Sequence, residues 1–142
     1  MRKIFLLLTT LLISGVLFSC KTIKEIPEEK TAAQIIQMGQ NAAAMNSFAD
    51  AEFCYEEVLK RFPNDPNVFV QAKYELGHIY TKQKKYEKAK TAFNSILTLN
   101  EQNRNVVPPK YVKLCNMGLE RIAAEQPEEE IETKSAKDKD RK

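Results

Sequence analysis

Leu76-Gly77-His78-Ile79-Tyr80, followed nine residues on by Ala89-Lys90-Thr91-Ala92-Phe93, decides the fold of this chain. The same pattern stands 38 residues earlier, as Met38-Gly39-Gln40-Asn41-Ala42 and then Ala51-Glu52-Phe53-Cys54-Tyr55. At that offset Phe48 also pairs with Tyr86, Val58 with Ile96 and Leu59 with Leu97. Self-similarity at one fixed period marks a repeat array, whose units bury their apolar faces by stacking on one another. The alternative is a generic antiparallel helical bundle with similar spacing.

Outward from this stretch, apolar residues recur at helical spacing in five segments. Thr31-x-x-Gln34 is a capping-box signature, and Ile35, Met38, Ala42 and Met45 follow it. A polar break at Asn46-Ser47 precedes a second helix with Phe48, Ala51, Tyr55, Val58 and Leu59 on one face, stopped by Pro63. Asp65 offers a cap and Pro66 suits the first position of a third helix, which reaches about Lys82. Gln83-Lys84-Lys85 is a turn. Tyr86, Ala89, Phe93, Ile96 and Leu97 mark a fourth helix ending near Asn100, before a polar loop over 100–107. Pro108-Pro109 opens a fifth helix with an apolar stripe of Tyr111, Leu114, Cys115, Gly118, Leu119 and Ile122, ending before Pro127.

The residues of both copies resemble the tetratricopeptide repeat. Gly and Ala stand where paired helices pack closely, aromatic residues fill the gaps, and Pro63 closes the first unit. Ile35 and Lys73 replace the Trp that many repeats carry, and Glu101 replaces a closing Pro. The 38-residue period exceeds the usual ~34 and implies a four-residue insertion after Asp65. The resemblance implies an all-α domain over residues 31–125. Two tetratricopeptide helical hairpins, about 32–65 and 70–103, with a C-terminal capping helix over 108–125, would form a short α-solenoid. It also implies a concave partner-binding groove, to which this chain would contribute Ile36, Gln40, Tyr74, His78, Thr81 and Lys82. The Lys and Asn set that clamps a peptide carboxylate in some chaperone adaptors is absent.

Ahead of the repeats, Leu17-Phe18-Ser19-Cys20 closes an uncharged, mostly apolar run from Ile4, preceded by Arg2 and Lys3. That run is shorter than the ~20 residues a spanning helix needs and fits a secretory signal. Leu three residues before a Cys, with a small residue just before it, resembles a bacterial lipobox. Phe18 is bulkier than usual there. The resemblance implies cleavage of residues 1–19, lipidation of Cys20 and a lipid-anchored cell-envelope protein. Lys21 rather than Asp after the Cys favours the outer membrane, facing the periplasm, by analogy with enterobacterial sorting. An uncleaved anchor and an ordinary signal with a coincidental Cys are the alternatives. Residues 20–30 read as a polar tether. Residues 126–142, acidic first and basic last, have too few apolar groups for a core and read as a disordered charged tail.

The chain carries 22 basic and 19 acidic residues, and loss of Arg2 and Lys3 with the leader leaves 20 against 19. That near-neutrality argues against nucleic acid. Cys54 and Cys115 could pair in an oxidising compartment or be small buried hydrophobes, the reading we prefer because nothing in the sequence brings them together. The single His78 has no partners for a metal site, and no cofactor is indicated. There is no phosphate loop and no nucleophile with a matched base, so no enzyme is expected.

Arg61-Phe62-Pro63-Asn64-Asp65, then Ala72-x-Tyr74-x-Leu76-Gly77, resembles two groups of periplasmic repeat proteins: the outer-membrane barrel-assembly lipoproteins and the cell-division coordinators linked to the Tol-Pal system. The likeness covers about residues 32–103. It implies a membrane-anchored scaffold with envelope proteins as partners, the outer-membrane barrel-assembly protein foremost. The competing expectations are a ligand-binding or transport-associated lipoprotein, an adaptor for division or wall synthesis, and surface display.

Overall fold

The computed structural model of the chain describes residues 22–126. The signal-peptide reading of 1–19, the lipidation of Cys20 and the charged tail from 127 onward lie outside the described residues. Five helices and no strand are found among those described: α1 Ala32–Ala44, α2 Phe48–Arg61, α3 Pro66–Lys82, α4 Tyr86–Gln102 and α5 Pro109–Glu125. The fold is therefore all-helical, a short α-solenoid.

Local chemistry sets the helix ends. At α1 the capping box is complete, with Gln34 N donating to Thr31 Oγ1 at 3.3 Å and Thr31 N to Gln34 Oε1 at 3.0 Å. Asp65 caps α3, its Oδ1 accepting from Asn67 N at 2.9 Å and Val68 N at 3.2 Å. Both hairpin turns use one device. Asn46 (φ 59°) and Lys84 (φ 57°) adopt the left-handed conformation. Ser47 N then reaches back to Ala42 O, and Lys85 N to Tyr80 O, each at 2.9 Å. This Schellman closure satisfies carbonyls that the helix leaves open.

The helices α1, α3 and α5 touch in succession and form one layer, whereas the backbones of α2 and α4 do not meet. The α1/α3/α5 side is thus the inner face and the α2/α4 side the outer one. Glu52 bridges the outer helices at one end: Tyr80 Oη donates to its Oε1 at 2.6 Å, and Lys88 Nζ lies 3.3 Å away. Burial alone would raise its carboxyl, but the Tyr80 and Lys88 hydrogen bonds and the charges of Lys88 and Lys85 hold it below the usual value.

Aromatic rings seat the helices on one another. A Cβ on Gly39 would meet the Tyr55 ring at 2.5 Å. Phe93 fills the corresponding place in the second hairpin, where its ring lies against Gly77 on one side and Gly118 of α5 on the other. The four-residue insertion appears as an added first turn of α3, Pro66 to Phe69. One turn is 3.6 residues, so four extra residues leave the packing face almost in register. With no Pro at position 101, α4 continues to Gln102, past the expected end near Asn100.

Two boundaries differ from the sequence reading. Residues 22–30 are docked on the first hairpin, where a free tether was expected. Ile26 is only 2% exposed. Ile23 N donates to Asp50 Oδ1 at 2.9 Å, while Arg61 donates to the carbonyls of Ile26 at 2.5 Å and Pro27 at 2.8 Å. Isoleucines at 23 and 26 supply the apolar contact that the polar composition of this segment obscured. Gln126, read as the start of the tail, is buried and caps α5 by donating its N–H to Ile122 O at 3.0 Å.

Gly77→Ala should destabilise the domain by about 1–3 kcal/mol despite alanine's higher helix propensity, because Phe93 is wedged against Gly118 and cannot retreat. Thermal melts should show a loss of at least roughly 4 °C, and adding Phe93→Leu should recover part of it; independent, additive effects would refute the wedge. Tyr55→Phe should raise stability by about 1 kcal/mol in denaturant titration, since no group of the described residues bonds its fully buried hydroxyl.

Candidate functional site

The inner layer brings some expected groove residues together and removes others. Ile36 is only 5% exposed and belongs to the core, a correction to its expected place in the groove. Helix α1 packs against both α2 and α3, so the adjacent Ile35 and Ile36 are both covered. Thr81 is half-buried, and its hydroxyl donates to Gly77 O at 2.8 Å within α3, which engages its proton internally. Lys82 is exposed in the last turn of α3.

Gln40, Tyr74 and His78 lie in one surface, with connections their sequence positions did not reveal. Gln40 Nε2 donates to Glu75 Oε1 at 2.8 Å, joining α1 to α3. One turn apart on α3, Tyr74 and His78 stack, with ring centroids 6.3 Å apart and planes at 9°. Tyr74 also meets Tyr111 of α5 edge-on at 5.6 Å and Phe93 at 6.1 Å. It is thus a packing element between helices as well as a surface ring, and truncating it would disturb the fold.

Glu75, Tyr111 and Arg121 were missed as members of this face. Glu75 could have been found: it stands three residues before His78 and seven before Lys82, on the same helical face. Tyr111 was recognised only as part of the apolar stripe of α5. Its role depends on α5 joining the inner layer, which no motif announces. The charge of Glu75 reaches Tyr74, His78 and Tyr111, and Arg121 acts on Tyr74 and His78. Burial, reinforced by Glu75, pushes the Tyr74 and Tyr111 hydroxyls up. Burial and then the Lys82 charge lower the His78 value, with Glu75 opposing and Arg121 adding to the lowering.

The arrangement suits recognition: flat rings offer area, while Gln40, Glu75, Lys82 and Arg121 offer hydrogen bonds of both polarities. Among the described residues no group of three His, Cys, Asp or Glu side chains could hold a metal ion. Cys54 and Cys115 are both free and fully buried; burial and the Asp50 charge push Cys54 up to about 11, and burial pushes Cys115 up to about 12. No helix of the described residues is long and apolar enough to cross a membrane.

A second concavity lies at the far end of the solenoid. The added turn of α3 and the extension of α4 frame an open, apolar cleft of about 570 Å³ between Pro63, Pro66, Phe69, Leu99 and Val106.

Residues 70–103 match the tetratricopeptide repeat family model, beginning just after the added turn of α3. An uncharacterized protein of Treponema pallidum (strain Nichols) is 31% identical over 125 residues, covering 85% of this chain and 49% of the relative. The chain thus spans about half the length of that relative. No solved structure is significantly similar to it. The chain carries a tetratricopeptide repeat in its second hairpin, and such repeats serve protein–protein interaction.

His78 gives the domain a defined pH response. Its folded value lies below the ordinary one near 6.5, so the unfolded chain takes up the proton first as pH falls. Stability from this group is intact above the ordinary value and declines as pH drops through and below it. The chain contains no other histidine. The stability lost between pH 7.5 and 5.5, measured by urea unfolding, should be smaller in His78→Gln than in the parent protein; equal losses would disprove the assignment.

Proposed function

We propose that the protein is a membrane-anchored docking scaffold of a bacterial envelope complex. Lipid on Cys20 would hold the domain at the membrane, outer membrane facing the periplasm by the sorting analogy, and the inner face would receive a partner protein. The observation that carries the docking reading is the continuous α1/α3/α5 surface, on which Gln40, Glu75, Tyr74, His78, Tyr111 and Arg121 meet. The tetratricopeptide repeat at 70–103 supports a protein as the ligand. The lipobox-like residues support the anchor, and the Arg61–Asp65 junction supports the barrel-assembly machinery as the first complex to examine. An adaptor for division or wall synthesis uses the same geometry with a different partner.

A photo-crosslinking residue at position 78 of the native lipoprotein, with one at Asn94 on α4 as the comparison, tests the docking face. Partner adducts should form at position 78 and far less at 94. Glu75→Lys combined with Arg121→Glu should reduce partner recovery roughly tenfold while leaving helical circular dichroism unchanged. Undiminished recovery would exclude this face. Mass spectrometry of the adduct decides among the barrel-assembly protein, division proteins and wall-synthesis proteins.

A further inference from the structure

The segment ahead of α1 is a strap with a fixed course, and this limits how the domain can sit on a membrane. Its first clamp, Asp50, is in the opening turn of α2, and its second, Arg61, is the last residue of that helix. From residue 50 to 61 a helix rises about 16 Å, and an extended chain from residue 23 to 27 covers about 13–14 Å. Residues 23–27 therefore run alongside α2 from its first turn towards its last. The upstream end of the strap is held at the α1–α2 turn. Consecutive Cα atoms are ~3.8 Å apart, so a lipid attached three residues before Ile23 would be tethered close to that turn.

The α1–α2 turn carries an unusual surface. Met45 is 74% exposed, the most exposed large hydrophobic residue among those described. It stands two residues before Ser47, whose Oγ donates to Asp50 Oδ2 at 2.6 Å, the same carboxylate that holds Ile23. The α3–α4 turn lies at the same end of the solenoid, because α1 and α3 are equivalent helices of successive hairpins. Its tip is the exposed pair Lys84-Lys85. An exposed methionine and basic residues on one rim suit the boundary between headgroups and acyl chains.

Resting on the lipidated-Cys20 reading above, we infer that the rim formed by the α1–α2 and α3–α4 turns lies against the bilayer that holds the lipid, with Met45 inserted into its interface. The domain would then be oriented by the strap, with its inner face directed along the membrane surface, and the cleft between Pro63 and Leu99 would point away from the bilayer.

The chain contains no tryptophan, so a single introduced one reports its own surroundings. Met45→Trp, and Asn64→Trp at the opposite end as the comparison, would be purified from membranes as full-length lipoproteins. They would be reconstituted into phosphatidylcholine–phosphatidylglycerol vesicles containing lipids brominated on their acyl chains. Trp fluorescence at position 45 should be quenched at least twofold more than at position 64. Inserting ten Gly/Ser residues between residues 21 and 22 should abolish that difference while leaving the fold intact. Equal quenching at the two positions in protein whose Cys20 peptide carries acyl chains by mass spectrometry would overturn the orientation alone. An unmodified Cys20 would overturn the anchor and the orientation with it.

Discussion

One ring held between two glycines organises the second half of this molecule. Phe93 of α4 lies against Gly77 of α3 and Gly118 of α5, so a single side chain sets the approach of three helices. Neither glycine needs a special backbone conformation; each is required because its missing Cβ makes room for the ring. The first hairpin repeats the contact with Tyr55 on Gly39. Close approach in this layer brings α3 into contact with both α1 and α5 and leaves α2 and α4 apart, which gives the solenoid its inner face.

The departures from a regular repeat occur where the helices end. Pro63 stops α2 early, whereas α3 gains a turn at its start and α4 continues to Gln102. Because the insertion is close to one helical turn, Gly77 and Phe93 keep their facing. The extra length accumulates at one end and opens the apolar cleft there. The opposite end is compact, closed by two matching Schellman turns and tied across by Glu52 with Tyr80 and Lys88.

The inner face combines packing and recognition in the same side chains. Tyr74 both fills space beside Phe93 and presents a ring to the surface with His78 and Tyr111. Glu75 makes one cross-helix hydrogen bond to Gln40 and influences the titration of the surrounding rings. Its charge acts on His78 together with those of Lys82 and Arg121, a mixed polarity that favours selectivity over bulk attraction.

The sequence by itself determined the helices, the repeat and its insertion. These depend on local periodicity, on caps such as Thr31 and Asp65, and on residues matched at a constant offset, all of which are properties of neighbours along the chain. The tetratricopeptide resemblance also pointed to Gln40, Tyr74 and His78 as groove residues, and the structure links them through Glu75 and ring stacking on α3. Only the tertiary structure decided that Ile36 is buried, that Tyr111 and Arg121 complete the face, and that residues 22–30 form a strap. Each of these depends on which helix lies alongside which: α1 is covered on two sides, α5 joins the inner layer, and α2 offers Asp50 and Arg61 to a segment more than twenty residues upstream. A short polar stretch with two isoleucines has no periodicity to read, so its docking becomes visible only when its partners are in place.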